Sequence, residues 1–170
     1  MKLRAPAVPL ITVDPYFSVW SCADRLNAAA TCHWTGHTNT INGFLTIDDT
    51  VYRFMGGEEA GGIPMRQISL EITAMATVYG FEADGVRLTA RFFTPVFADD
   101  LDLLSRPVSY LELSAEVTDG RARRLTAELR ASEELCLDTA RQEPVEISAG
   151  RLEGGIAFSR MGGTTQPVLV

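Results

Sequence analysis

The sequence predicts an all-β fold, a large antiparallel two-sheet β-sandwich with few or no long helices. Three observations point there. Apolar and polar residues alternate with period two in run after run, the mark of a strand with one wet face. Turn signals such as Asp48-Asp49, Asp84-Gly85 and Asp119-Gly120 separate the runs at intervals of about 10–15 residues. No stretch sustains a helical period long enough to stand alone.

The first fifteen residues hold Pro6, Pro9 and Pro15, which forbid helix and favour an extended arm. Tyr16 to Ser21 reads as a short apolar strand. Residues 22–40 are small and polar, with at most a helical turn at Ala23 to Ala30. Gly43 to Ile47 and Val51 to Met55 flank Asp48-Asp49 and read as a hairpin. Gly56 to Gly62, with four glycines and two glutamates, reads as a mobile loop. Ile68, Leu70 and Ile72 alternate with polar residues, and Ala74 to Phe81 is read as the same strand continued. After Asp84-Gly85, Val86, Leu88, Ala90 and Phe92 alternate cleanly and stop at Thr94-Pro95. Residues 98–107 form a connection. Leu111 to Val117 and Leu125 to Ala131 repeat the alternation around Asp119-Gly120. Val145 to Ser148 and Arg151 to Ser159 read as two more strands turning at Ala149-Gly150. Strands of about ten residues or more are expected, in sheets with one solvated face each. Residues 1–170 are read as a single sandwich domain with 1–15 as its N-terminal arm.

Composition narrows the function. At 170 residues and 46% hydrophobic the chain can bury a core without disulfides. The net charge is −7, and fourteen of the fifteen bases are arginine. An acidic domain repels phosphate backbones, so no nucleic-acid partner is expected. No apolar run reaches the length of a membrane span, so no membrane partner is expected either. Cys22, Cys32 and Cys136 are read as reduced thiols. The first residues lack a signal-peptide pattern, so the expected location is cytoplasmic.

The densest chemical stretch is Cys32-His33-Trp34-Thr35-Gly36-His37, which holds both histidines. Histidines at i and i+4 bind zinc on a helix face, but here no glutamate supplies a base and Gly36 disfavours helix. A loop with Trp34 anchored in a groove is the plainer reading, and no metal or cofactor is expected. Asp99, Asp100 and Asp102 could serve acid–base chemistry or calcium, although three acids on one connection are usually solvated. Arg106 could pair with one of them. Ser18, His33 and Asp14 supply the residue types of a triad without its elbow motif. Cys32 adjoins His33 only in sequence. Tyr16, Phe17, Trp20 and Trp34 could stack on a sugar but at this density read as core.

Several motifs in order resemble a known family. They are Ala5-Pro6-Ala7-Val8-Pro9-Leu10, Asp14-Pro15-Tyr16-Phe17-Ser18-Val19-Trp20-Ser21, His33-Trp34-Thr35-Gly36, Tyr52-Arg53-Phe54-Met55-Gly56, Pro64-Met65-Arg66-Gln67 with Thr94-Pro95, and Asp100-Leu101-Asp102-Leu103-Leu104-Ser105-Arg106-Pro107-Val108-Ser109-Tyr110-Leu111. The chain from residue 5 to about 137 resembles the N-terminal region of the large glutaminase family of fungi and bacteria. The resemblance implies a supersandwich-like domain preceding an (α/α) toroid that hydrolyses L-glutamine to L-glutamate and ammonia. It implies that this chain stops before the toroid, and it carries no catalytic residue onto these positions.

The resulting expectation is a non-catalytic sandwich whose partner is the toroid domain. His33, Trp34, Trp20 and Arg106 are its interface or active-site-rim candidates. An unpaired strand edge is expected to be covered, for instance by a homodimer. The alternative is a carbohydrate-binding sandwich of a glycoside-hydrolase-like protein. Outward positions in the four best strands are mainly Ser, Thr, Glu and Arg, with only Phe93 and Tyr110 aromatic, which favours the accessory role.

Overall fold

A computed structural model describes residues 5–137 and 142–165 of the chain. It is almost entirely β. The strands are β1 (Val8–Thr12), β2 (Ser18–Ser21), β3 (Ile41–Ile47), β4 (Thr50–Met55), β5 (Ile63–Pro64) and β6 (Arg66–Ile72). They continue with β7 (Ala76–Ala83), β8 (Val86–Phe93), β9 (Tyr110–Val117), β10 (Leu125–Ala131), β11 (Val145–Arg151) and β12 (Ala157–Gly163). The single described α-helix, α1 (Leu101–Leu104), is one turn within the 98–107 connection. The longest described strands have eight residues, shorter than the alternation promised. The chain divides into two compact units, one ending at Arg130 and one beginning at Ala131.

The first unit contains two four-stranded sheets, ordered β10-β3-β4-β5 and β6-β7-β8-β9, with β1 and β2 as a separate antiparallel pair. The sheets meet through aromatic rings. Phe54 on β4 lies 5.9 Å from Phe81 on β7 between ring centroids, and both are fully buried. Tyr79 continues the cluster toward Phe81 and Phe92. Burial holds the Tyr79 phenol up at about 12, with a hydrogen bond from Ser21 opposing it. The alternating residues Val86, Leu88, Ala90 and Phe92 of β8 are all buried, as the period-two pattern requires. Gly43 makes the ring packing feasible: a Cβ at that position would collide with the Phe54 ring.

Several local expectations are corrected. The 66–83 run is not one strand: β6 ends at Ile72 and turns at Thr73, whose N–H and hydroxyl both donate to the Ala76 carbonyl. Gly56 to Gly62 is tied down as well as exposed. It contains a 3₁₀ turn at Glu58–Ala60, and the Arg53 guanidinium donates to the Gly61 and Gly62 carbonyls. Arg53 is itself buried, so the loop is wrapped around a cation on β4. The 23–30 stretch forms turns rather than helix, and it is tied by hydrogen bonds to the end of β4. Asn27 donates to the Arg53 and Met65 carbonyls at 3.1 and 2.8 Å, and Gly56 N donates to the Leu26 carbonyl. Arg53, Phe54 and Met55 are consecutive buried residues, so that sheet is not wet on one face at this strand.

β6 is an edge strand of its sheet. Leu70 and Ile72 on β6 pair with the buried Tyr79 and Thr77, yet they are 38% and 44% exposed.

The opposite end of the first unit is gathered by Arg123. Its side chain, 10% exposed, reaches Asp48 at 2.9 Å, Asp84 at 3.3 Å and Asp119 at 2.6 Å. These three acids sit on the β3–β4, β7–β8 and β9–β10 turns. The arginine pairing holds the Asp119 carboxyl below the usual carboxylate range. For Asp48 the backbone N–H of Arg124 contributes most, followed by Arg123.

In the second unit β11 and β12 form a hairpin in register from Val145↔Gly163 to Arg151↔Ala157. The turn falls at residues 152–156, not at Ala149-Gly150. Gly150 stays in the strand because the Phe158 ring occupies the space its side chain would need.

Candidate functional site

The candidate site is the loop that carries both histidines, and its backbone explains its shape. Cys32 pairs with Trp20 of β2 and with Thr38, so the loop leaves and returns through adjacent antiparallel bridges. His33 N donates to the His37 carbonyl at 2.6 Å, and Gly36 N donates to the His33 carbonyl at 2.9 Å. Gly36 takes φ of 89°, a left-handed conformation open to glycine without cost, and this closes the turn. His33 and His37 are therefore partners across a tight hairpin rather than neighbours on a helix.

The loop docks on the segment that precedes β2. Trp34 Nε1 donates to the Pro15 carbonyl at 2.7 Å, and His33 Nε2 lies 3.0 Å from the same oxygen. His33 Nδ1 lies 2.8 Å from Thr35 Oγ1 and 3.4 Å from Thr35 N, which donates to it. A donor at Nε2 and an acceptor at Nδ1 satisfy all of these partners. Asp14 fixes the docking segment. Its Oδ1 accepts from the backbone N–H groups of Tyr16 and Phe17 at 2.7 and 2.9 Å. Trp34 nevertheless remains 61% exposed and Tyr16 82% exposed. The Trp34 indole is thus held at its polar end while its ring faces solvent, and it is not the groove-filling anchor the sequence pointed to.

The other candidates separate. Trp20 is half-buried on β2 at the base of the loop, and among the described residues its Nε1 has no hydrogen-bond partner. Arg106 is exposed on the α1–β9 connection, and among the described residues no hydrogen bond or ion pair joins it to the His33–Trp34 loop or to an acid. Asp100 caps α1, accepting from Leu103 N at 3.0 Å, a local task that accounts for it. Asp14, His33 and Ser18 do not form a triad: both His33 nitrogens are engaged elsewhere, and Ser18 Oγ is buried with no partner among the described residues. Among the described residues no three His, Cys, Asp or Glu side chains gather as metal ligands. No described helix is long and apolar enough to cross a membrane.

Sequence reasoning missed two features beside the loop. Arg53 was read only as part of the 51–55 strand, and nothing in that run marked it as a buried cation held by the Gly61 and Gly62 carbonyls. Cys22 and Cys32 are ten residues apart with no pairing motif, yet their sulfurs lie 2.7 Å from one another. Burial, then the Cys22 thiol beside it, pushes the Cys32 thiol up to about 12.

On the outer face of the second sheet, Phe93 and Tyr110 rings lie 6.0 Å apart and the Arg91 guanidinium covers Phe93 at 4.6 Å. Arg91 also pairs with Glu112 at 2.7 Å.

Comparison with known proteins gives these features a context. A family model described as a domain of unknown function (DUF4964) matches residues 1–69. A second, also described as a domain of unknown function (DUF5127), matches residues 75–170. The chain is 30% identical over 131 residues to Glutaminase A of Aspergillus oryzae, an alignment covering 70% of this chain and 18% of that protein. The chain therefore spans about a fifth of the curated relative it matches. No solved structure matches.

Proposed function

The chain belongs to the DUF5127 family, and from that premise we propose that it is a non-catalytic β-sandwich of a glutaminase-like protein, docking on a catalytic toroid and contributing to the rim of its active site. The reaction of the whole protein in this reading is hydrolysis of L-glutamine to L-glutamate and ammonia. The similarity to Glutaminase A supplies the reaction class. The observation that carries the docking role is Trp34, whose ring is exposed while its N–H is held by the Pro15 carbonyl at 2.7 Å. A large aromatic fixed in one orientation loses little rotamer freedom on association and makes an effective contact hot spot.

The test is ammonia release from L-glutamine by the isolated chain and by a longer protein that contains it. The isolated chain is expected to be inactive and the longer protein active. Trp34→Ala in the longer protein is expected to lower activity while far-ultraviolet circular dichroism stays unchanged. Turnover by the isolated chain would overturn the reading.

A second reading, a carbohydrate-binding sandwich, is favoured by the Phe93–Tyr110 pair on the outer face, where Tyr110 is 51% exposed. Exposed rings of this kind stack on sugars. Calorimetric titration with neutral oligosaccharides, with Tyr110→Ala as control, separates the two readings.

A further inference from the structure

We propose that Cys22 and Cys32 form a redox-closable dithiol site, and that its closure fastens the His33–Trp34 loop to β2. Their Sγ atoms lie 2.7 Å apart, inside ordinary van der Waals contact. The backbone holds them there. Trp20 N donates to the Cys32 carbonyl at 2.7 Å, and Cys32 N donates to the Trp20 carbonyl at 2.9 Å, so Trp20 and Cys32 are a hydrogen-bonded antiparallel pair. Cys22 follows Trp20 by two residues, and side chains two apart on an extended chain share a face. The two sulfurs therefore meet diagonally across a fixed ladder, and a bond of about 2.05 Å needs only a small side-chain adjustment.

The two thiols differ in access, which sets the order of events. Cys22 is exposed and Cys32 is half-buried. Cys136 belongs to the other unit, where its thiol donates to the Glu133 carbonyl at 3.2 Å. The oxidant is a low-molecular-weight disulfide. The Cys22 thiolate attacks one of its sulfurs, its S–S bond breaks, and one small thiolate leaves and takes up a proton. Cys32 then loses its proton and attacks the Cys22 sulfur, displacing the second small thiol. Two protein thiols become one disulfide, and the small disulfide is reduced to two thiols.

Closure joins the two strands at the foot of the candidate loop. Cys32 directly precedes His33, so the crosslink fastens the start of the turn that presents Trp34. The dithiol and disulfide forms then differ in the mobility of that loop while the sheets stay unchanged. This holds whether or not the loop docks on a catalytic domain.

The test incubates the full chain with oxidised glutathione, blocks remaining thiols by alkylation, and maps tryptic peptides. Arg25 lies between the two cysteines, so closure joins the 5–25 and 26–53 peptides through one bond and leaves Cys136 alkylated. The expected result is loss of two of the three free thiols, the joined peptides, and slower amide exchange at residues 33–37. Cys136→Ser is expected to leave the joined peptides in place. Recovery of Cys22 and Cys32 separately alkylated or glutathionylated would overturn the proposal, as would either one joined to Cys136. The peptide map uses the unaltered chain, so the outcome does not depend on a variant folding.

Discussion

The two sheets of the first unit meet at the Phe54–Phe81 ring pair, and a double-mutant cycle at these positions measures that contact. Both rings are fully buried, with centroids 5.9 Å apart and planes tilted by 53°. Truncation of such a residue to alanine costs about 3–5 kcal/mol, close to the whole stability of a modest domain. Leucine is the better probe because it removes the ring and keeps most of the bulk. Each Phe→Leu change should cost about 1–2 kcal/mol, between a volume-conserving swap and a truncation. The ring–ring term is lost once in the double variant but counted in both singles. The double variant should therefore be less destabilised than the sum by about 0.5–1.5 kcal/mol. Urea unfolding followed by tryptophan fluorescence is the assay. Trp20 and Trp34, the two tryptophans of the chain, both lie in the first unit, so the signal reports that unit alone. Additivity within about 0.3 kcal/mol would show that the rings do not share a core and would refute face-to-face packing of β4 on β7.

Two further outcomes are expected. Gly43→Ala places a methyl group against the Phe54 ring and should destabilise by about 1–3 kcal/mol, with much of the loss recovered on a Phe54→Leu background; equal losses on both backgrounds would contradict the contact. Asp48 and Asp119 have carboxyls held below their usual range in the folded state. Their contribution is present above the unfolded value near 3.9 and is lost as pH falls through the lower folded values. The urea midpoint should thus drop below about pH 4, and Arg123→Gln should flatten that acid limb. An unchanged acid limb in the variant would dismiss the cluster as its source.

What the sequence disclosed follows a physical division. β8 was legible because one strand with a buried and a wet face writes its period directly into the chain, and Asp84-Gly85 marks where it begins. The Thr73 turn was hidden because it uses a threonine hydroxyl and no glycine or proline, so Ile72 and Ala76 looked continuous. Gly150 misled in the opposite sense: it yields space to Phe158 rather than bending the chain. At the candidate site, the His33–Trp34 loop stood out by composition, and Gly36 argued against a helix there. Its anchor is the Pro15 carbonyl, a backbone atom that no residue pattern encodes. Arg123 was equally invisible, since its partners become neighbours only once the hairpins have paired.

That last arrangement bears on the order in which the molecule assembles. Arg123 is 75 residues from Asp48 and 39 from Asp84, so those contacts form only after long loops have closed at an entropic cost. Local hairpins must come first, and the arginine can join their tips only when they are in place. An interaction made late on the way in is broken early on the way out. The three-turn cluster therefore acts chiefly on the rate of unfolding, as a latch on the finished unit rather than a guide to building it.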